Sequence, residues 1–358
     1  MKLRKKLLSL LLCTAMLLCS CAESSSKADT ASSSSQAQTE QTTTTTQQTS
    51  EQTTTTTTSQ TTSSTAAQTP AQNAVQGIPM WEGTDPSGNK VTFIGSMHAA
   101  KQDLYPLPDR IMNAYNSAQA VVFECDTDAV ETDDGMLQVY QQMIYQDSTK
   151  LKDKLSPKAY EIFSKHITDM GTPADLYGNF KPWAAYELIN SLWLIDGDIS
   201  VSNGLDYYLL HKTKADKKEL IELESAQMQI DILSGQPDAT YEALIKSTAE
   251  YTKQSEQEKL KKLYDIWLRG DLDAMFTMEK GASAEEYKRL GLTDEEVSLI
   301  AAYNKTLNAD RNIGMAEKLK GIFRSGKKTL VVIGSAHFLG DNGVIGLLEK
   351  QGYTFKRI

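Results

Sequence analysis

Ile94-Gly95-Ser96-Met97-His98 and Ile333-Gly334-Ser335-Ala336-His337 are the two stretches that decide how this chain folds. The first follows an apolar run opening at Val91 and the second a run opening at Leu330. Each reads as a β-branched strand that ends at glycine and serine and then projects a histidine. In open α/β sheets ligands gather at the carboxyl ends of the strands. The sequence has only four histidines, and two of them hold these matching places. On neighbouring strands the two imidazoles would share one metal ion.

Working outward, the pattern stays α/β. A helix-like stretch from Leu107 to Ala118 leads to a second strand, Ala120 to Phe123, which ends at Glu124. Near the C-terminus a helix from Asn312 to Arg324 precedes the strand Thr329 to Ile333, a helix from Gly343 to Gln351, and a terminal strand at Tyr353-Thr354-Phe355. The intervening stretch is mostly helical. Ser156-Pro157 opens one helix as N-cap and first residue, Gly171 ends it, and Tyr160, Phe163, Ile167 and Met170 form its apolar stripe. One strand candidate interrupts the helices, Leu220 to Leu223, and Glu224 follows it. The expected fold is a mixed central sheet with the paired GxxH motifs at strand ends and a large helical insertion. Glu124 and Glu224 then take equivalent places after their strands.

The other two histidines read as structural. His166, beside the apolar stripe, reads as a surface or boundary residue, and His211, near a helix end, suits the helix dipole as a cation. Asp206 reads as the cap of the helix that follows it. Ser96 and Ser335 do not lie in a G-x-S-x-G elbow, which argues against a serine nucleophile.

Before this domain stand a leader and a tether. Lys2, Arg4, Lys5 and Lys6 precede an apolar stretch from Leu7 to Leu18, long enough for a signal peptide but short of the roughly 20 residues of a spanning helix. Leu18-Cys19-Ser20-Cys21 is similar to a bacterial lipobox with Cys21 as the acylated residue. Residues 1–20 are thus expected as a signal peptide. Residues 21–75, almost all Ser, Thr, Gln and Ala, are expected as a disordered linker with a span of about 40 Å. Residues 76–358 remain as one domain. The formal charge of −9 becomes −13 once the four leader cations are gone, which speaks against nucleic-acid binding. Cys125 is then the last cysteine in the folded part. It leaves no intramolecular disulfide and reads as a buried, inert thiol.

Gly95-Ser96-Met97-His98, Val121-Val122-Phe123-Glu124 and Gly334-Ser335-Ala336-His337 together resemble the TraB/PrgY/GumN family, which includes Tiki-type metalloproteases. Lys181-Pro182-Trp183, Gly204-Leu205-Asp206, Leu223-Glu224-Ser225-Ala226-Gln227, Trp267-Leu268-Arg269-Gly270-Asp271 and Asp310-Arg311-Asn312 extend the likeness to the GumN-type branch. The resemblance implies a membrane-tethered, metal-dependent hydrolase of extracytoplasmic peptides or proteins in the bacterial envelope. His98, His337 and Glu124 would hold a divalent ion (Mn²⁺, Co²⁺ or Zn²⁺) with a position open for water. Glu224 is the candidate general base, and Arg311 either faces the oxyanion or, in Asp-Arg-Asn at a helix start, is structural. The rival expectation is a lipid-anchored binding protein for haem or a peptide signal. The paired glutamates lean toward hydrolysis.

Overall fold

Val91, Phe93, Val122, Val331 and Ile333 point to one face of a sheet, and Ile94, Val121, Phe123, Leu330 and Val332 to the other. Strands apolar on both faces belong in the middle of a covered sheet. The computed structural model describes residues 77–195 and 197–358, apart from the side chain of Glu279. Its strands are β1 (Met80–Thr84), β2 (Lys90–Ser96), β3 (Ala100–Lys101), β4 (Ala120–Phe123), β5 (Ile199–Ser200), β6 (Glu219–Glu222), β7 (Thr329–Gly334) and β8 (Thr354–Arg357). Six of them form one sheet in the order β6-β4-β7-β2-β1-β8. β6, β4, β7 and β2 are parallel, whereas β1 runs antiparallel to both of its neighbours. The expected mixed α/β sheet is therefore present, and the four strands whose ends carry Glu224, Glu124, His337 and His98 are consecutive.

The helices are α1 (Asp109–Ser117), α2 (Asp128–Glu131), α3 (Asp133–Met143), α4 (Pro157–Asp169), α5 (Pro182–Leu192), α6 (Leu205–Ala215) and α7 (Ala226–Ser234). After them come α8 (Asp238–Ser247), α9 (Lys253–Arg269), α10 (Leu272–Glu279), α11 (Ala284–Arg289), α12 (Asp294–Lys305), α13 (Arg311–Arg324) and α14 (Val344–Glu349). One face of the sheet packs on Ile111 and Tyr115 of α1, Leu205 and Leu209 of α6, and Tyr264 and Trp267 of α9. The other packs on Met315, Leu319 and Phe323 of α13 and Val344 and Leu348 of α14. A separate core joins α3, α4, α5, α7, α8 and α12, so the helical insertion forms its own layer. A π-helical turn, Thr306–Asp310, connects α12 to α13. None of the described helices is long and apolar enough to cross a membrane.

Two sequence readings change. β1 had no strand signal, because Met-Trp-Glu-Gly-Thr lacks a two-residue alternation; pairing with β2 and β8 makes it a strand. His166 is buried rather than at the surface. Its Nε2 stands 3.0 Å from both the carbonyl and the hydroxyl oxygen of Thr248, with its ring edge-on to Trp193. Burial lowers its pKa. The N-cap at Ser156 is as read, its side chain accepting from Ala159 N. The leader, the tether and Cys21 lie outside the described residues.

Candidate active site

Each strand of the parallel set delivers one side chain to the same edge. His98 follows β2, Glu124 follows β4, Glu224 follows β6, and His337 sits in a 3₁₀ turn (Ser335–Phe338) directly after β7. Glycine makes the approach possible. A β-carbon at Gly334 would stand 3.1 Å from His98 Nε2 and 3.2 Å from Glu124 Oε1, and one at Gly204 would collide with His98 O. The glycine of the second GxxH motif thus makes room for the histidine of the first.

Each imidazole is held through its Nδ1. His98 Nδ1 hydrogen-bonds Asp206 Oδ2 on the first turn of α6. His337 Nδ1 lies 2.6 Å from Asn312 Oδ1 on the first turn of α13. Asn312 Nδ2 donates to Asn342 O at 3.0 Å, so the amide turns its oxygen toward the histidine. These partners assign the proton of each neutral ring to Nδ1 and leave the Nε2 lone pairs facing inward. Both face one carboxylate. His98 Nε2 is 3.8 Å from Glu124 Oε1, and His337 Nε2 is 3.6 Å from Glu124 Oε2.

Glu124 is anchored by Gly334 N at 2.7 Å on Oε1 and by Arg311 Nη2 at 2.8 Å on Oε2. Arg311 also gives Nε and Nη2 to Glu224, at 3.0 and 2.7 Å, and Nη1 to Leu307 O. Gln229 Nε2 donates to Glu224 Oε2 at 2.9 Å. Glu224 and Arg311 are almost completely buried. The Glu224 carboxylate is taken up by Arg311 and Gln229, and Arg311 clamps two glutamates, which matches the structural of its two readings. The pairing of Glu224 with Arg311 was not read from the sequence; it joins the end of β6 to the start of α13. Asp206 departs from its reading: it makes no cap bond on α6 and orients His98 instead. Asn312 and Gln229 were not anticipated. Their only sequence signal is adjacency to Arg311 and to the Leu223–Gln227 stretch.

Burial opposes a charged His98, but Asp206 and Glu124 outweigh it and raise the pKa to about 9. Burial likewise opposes a charged Glu124, yet His337, Arg311 and His98 hold its pKa well below the usual range. Three carboxylates (Glu124, Glu224 and Asp206) against one guanidinium leave two negative charges when the histidines are neutral. A pKa of about 9 lets His98 itself carry part of the compensating charge at neutral pH, and a divalent ion would do so with both rings neutral. Ligand bonds of about 2.1 Å at a tetrahedral angle place donors about 3.4 Å apart, close to the separations here. Among the described residues no three His, Cys, Asp or Glu side chains stand so that they could hold a metal ion as they are. His98, His337 and Glu124 supply the donor types of such a site, with the two Nε2 atoms facing different oxygens of Glu124 at 3.8 and 3.6 Å.

Ser96 and Ser335 are buried, and their hydroxyls hydrogen-bond to neither histidine. Cys125 is buried and burial pushes its thiol up, so it is a poor nucleophile. His211 lies on α6 away from the other two, its Nε2 3.2 Å from Asp128 Oδ1.

A sequence model of the TraB/PrgY/gumN family matches residues 79–357. The chain is 26% identical over 155 residues to the uncharacterized protein YbaP of Escherichia coli (strain K12), covering 43% of this chain and 56% of that protein. YbaP of Shigella flexneri gives the same identity and coverage. The chain thus spans little more than half the length of these relatives. No solved structure matches it.

Proposed function

The chain belongs to the TraB/PrgY/gumN family, and from the site geometry we propose that it is a metal-dependent hydrolase acting on peptides outside the cytoplasm. The observation that carries this reading is the pair of Nδ1-tethered histidines whose Nε2 atoms converge on Glu124. His98, His337 and Glu124 would hold the ion. When bound, a divalent ion supplies a water acidic near neutrality and a Lewis acid for the scissile carbonyl. Asp206 and Asn312 fix the tautomer and orientation of the two rings, as such outer partners do in metal sites. Arg311 holds Glu124 ionised and in place, and Glu224 with Gln229 holds Arg311. The N-terminal leader and lipobox support anchoring to the envelope. The described chain also enters the domain on the site side, since Met80 pairs with Ile94 near the carboxyl end of β2.

Haem ligation by the two histidines fits poorly. Their Nε2 atoms meet across one carboxylate, and the adjoining cavity is about 40 Å³, far below the few hundred Å³ of an organic-ligand site. A peptide-binding protein without turnover remains the rival. The test is cleavage of a peptide library by the full chain with Mn²⁺, Co²⁺ or Zn²⁺, before and after chelation. His98→Ala and His337→Ala should each abolish cleavage, and the double variant should be no worse than either, because ligands of one ion act as a unit. Tight peptide capture without cleavage in any metal would replace the enzyme by the binding protein.

A further inference from the structure

The two histidines are held unequally. His337 and Asn312 are buried, and Asn312 is itself locked by Asn342 O. His98 and Asp206 keep 14% and 25% of their side-chain surface in solvent. Asp206 Oδ1 has no hydrogen-bond partner among the described residues. Gly204, at the N-cap of α6, offers no side chain to fix the start of the helix. The place of the Asp206 carboxylate therefore depends on what holds the turn before it.

That turn is fastened to the segment after β2. Ala100 and Lys101 pair with Ser200 and Ile199, and Leu205 N donates to Met97 O at 3.1 Å. Tyr105 adds a side-chain hold. It follows the 3₁₀ turn Gln102–Leu104, and its hydroxyl donates to Asn203 O at 3.0 Å and to Gly204 O at 3.2 Å. Gly204 O also accepts from Tyr208 N at 3.0 Å, so the hydroxyl grips the carbonyl that opens α6. The Tyr105 ring lies 4.6 Å from that of Tyr208 on the same helical turn. Burial, and then the charge of Asp206, raise the pKa of the hydroxyl, which keeps its proton and stays a donor.

Resting on the hydrolase reading, we propose that Tyr105 is a positioning residue for the site: its hydroxyl fixes the start of α6, and with it the Asp206 carboxylate that orients the His98 ring. It serves Asp206 as Asn342 serves Asn312. The hold on His98 thus reaches one layer beyond its direct partner, on the side of the site where burial gives the least support.

Tyr105→Phe removes the hydroxyl and keeps the ring beside Tyr208. Long-range proton–nitrogen NMR spectra of the metal-free full chain report the ring nitrogens of its four histidines, with His98 and His337 assigned from their alanine variants. In Tyr105→Phe the His98 Nδ1 signal should move toward its position in Asp206→Ala, and that of His337 should stay. Zn²⁺ binding, measured by competition with a chelating dye, should weaken about 3- to 10-fold, the worth of one hydrogen bond. Because Tyr105 acts through Asp206, Tyr105→Phe should add nothing to the loss in Asp206→Ala. An unmoved His98 signal overturns the positioning role. So do Zn²⁺ losses that add in the double variant, or equal shifts of His98 and His337, which would mean a general loosening of the fold. If the parent binds no Zn²⁺ while the His98 signal alone moves, the positioning of His98 stands and the metal-dependent hydrolase reading falls.

Discussion

Asn312 shows how one residue can govern a site without touching its reacting atoms. Its amide is locked by Asn342 O, and its oxygen fixes the His337 ring. Asn312→Ala should leave the fold intact and weaken metal affinity by about 10- to 100-fold, the usual cost of losing such a partner, as measured by competition with a chelating dye. Unchanged affinity would show that the ring is held by packing alone. Arg311 carries more weight. It stands between Glu124 and Glu224, all three buried, so Arg311→Met would strand two carboxylates away from water. A loss of about 3–5 kcal/mol is expected when one partner of a buried ion pair is removed, read from urea unfolding at neutral pH. A loss under about 1 kcal/mol would mean that water reaches the pair.

At the scale of elements, the helical layer contains a buried acid of its own. Glu187 on α5 is 1% exposed, and burial raises its pKa to about 8 against the lowering influence of Tyr303 and Asn190. The folded state therefore keeps a proton that the unfolded chain releases near pH 4.5. This contribution to stability is complete below pH 4.5 and declines as pH rises toward 8, by at most about 1.4 kcal/mol per pH unit. Glu187→Gln should flatten the decline in Tm between pH 5 and 8. A parent and variant with parallel profiles would refute the assignment. The elements also show what sequence can reveal. β2, β4 and β7 were legible because β-branched runs buried on both faces leave no other reading, and β6 was found within one residue. Glu124, Glu224 and the two histidines were legible because each follows its strand within a few residues. Asp206 was misread and Asn312 unseen because their roles depend on where α6 and α13 begin relative to the sheet edge. The clamp of Glu224 by Arg311 spans 87 residues, a separation across which local pattern carries no information.

For the whole molecule, the proposed lipid anchor makes its own prediction. If Cys21 carries lipid, Cys21→Ala should move the protein from the membrane fraction to the soluble one without changing the domain's Tm, because a Ser/Thr/Gln-rich segment has too few apolar residues to add to a core. Retention in the membrane fraction would point to an anchor other than lipid. On the metal reading proposed above, a divalent ion between His98, His337 and Glu124 would balance the two negative charges that the site carries when both imidazoles are neutral. The most direct test is calorimetric titration of the chelated full chain with Zn²⁺, Mn²⁺ and Co²⁺, alongside His98→Ala, His337→Ala and His211→Ala. The account predicts one ion per chain in the parent and in His211→Ala, and none in the other two. Binding of unchanged stoichiometry and affinity in His98→Ala or His337→Ala, or no binding by the parent, would contradict it.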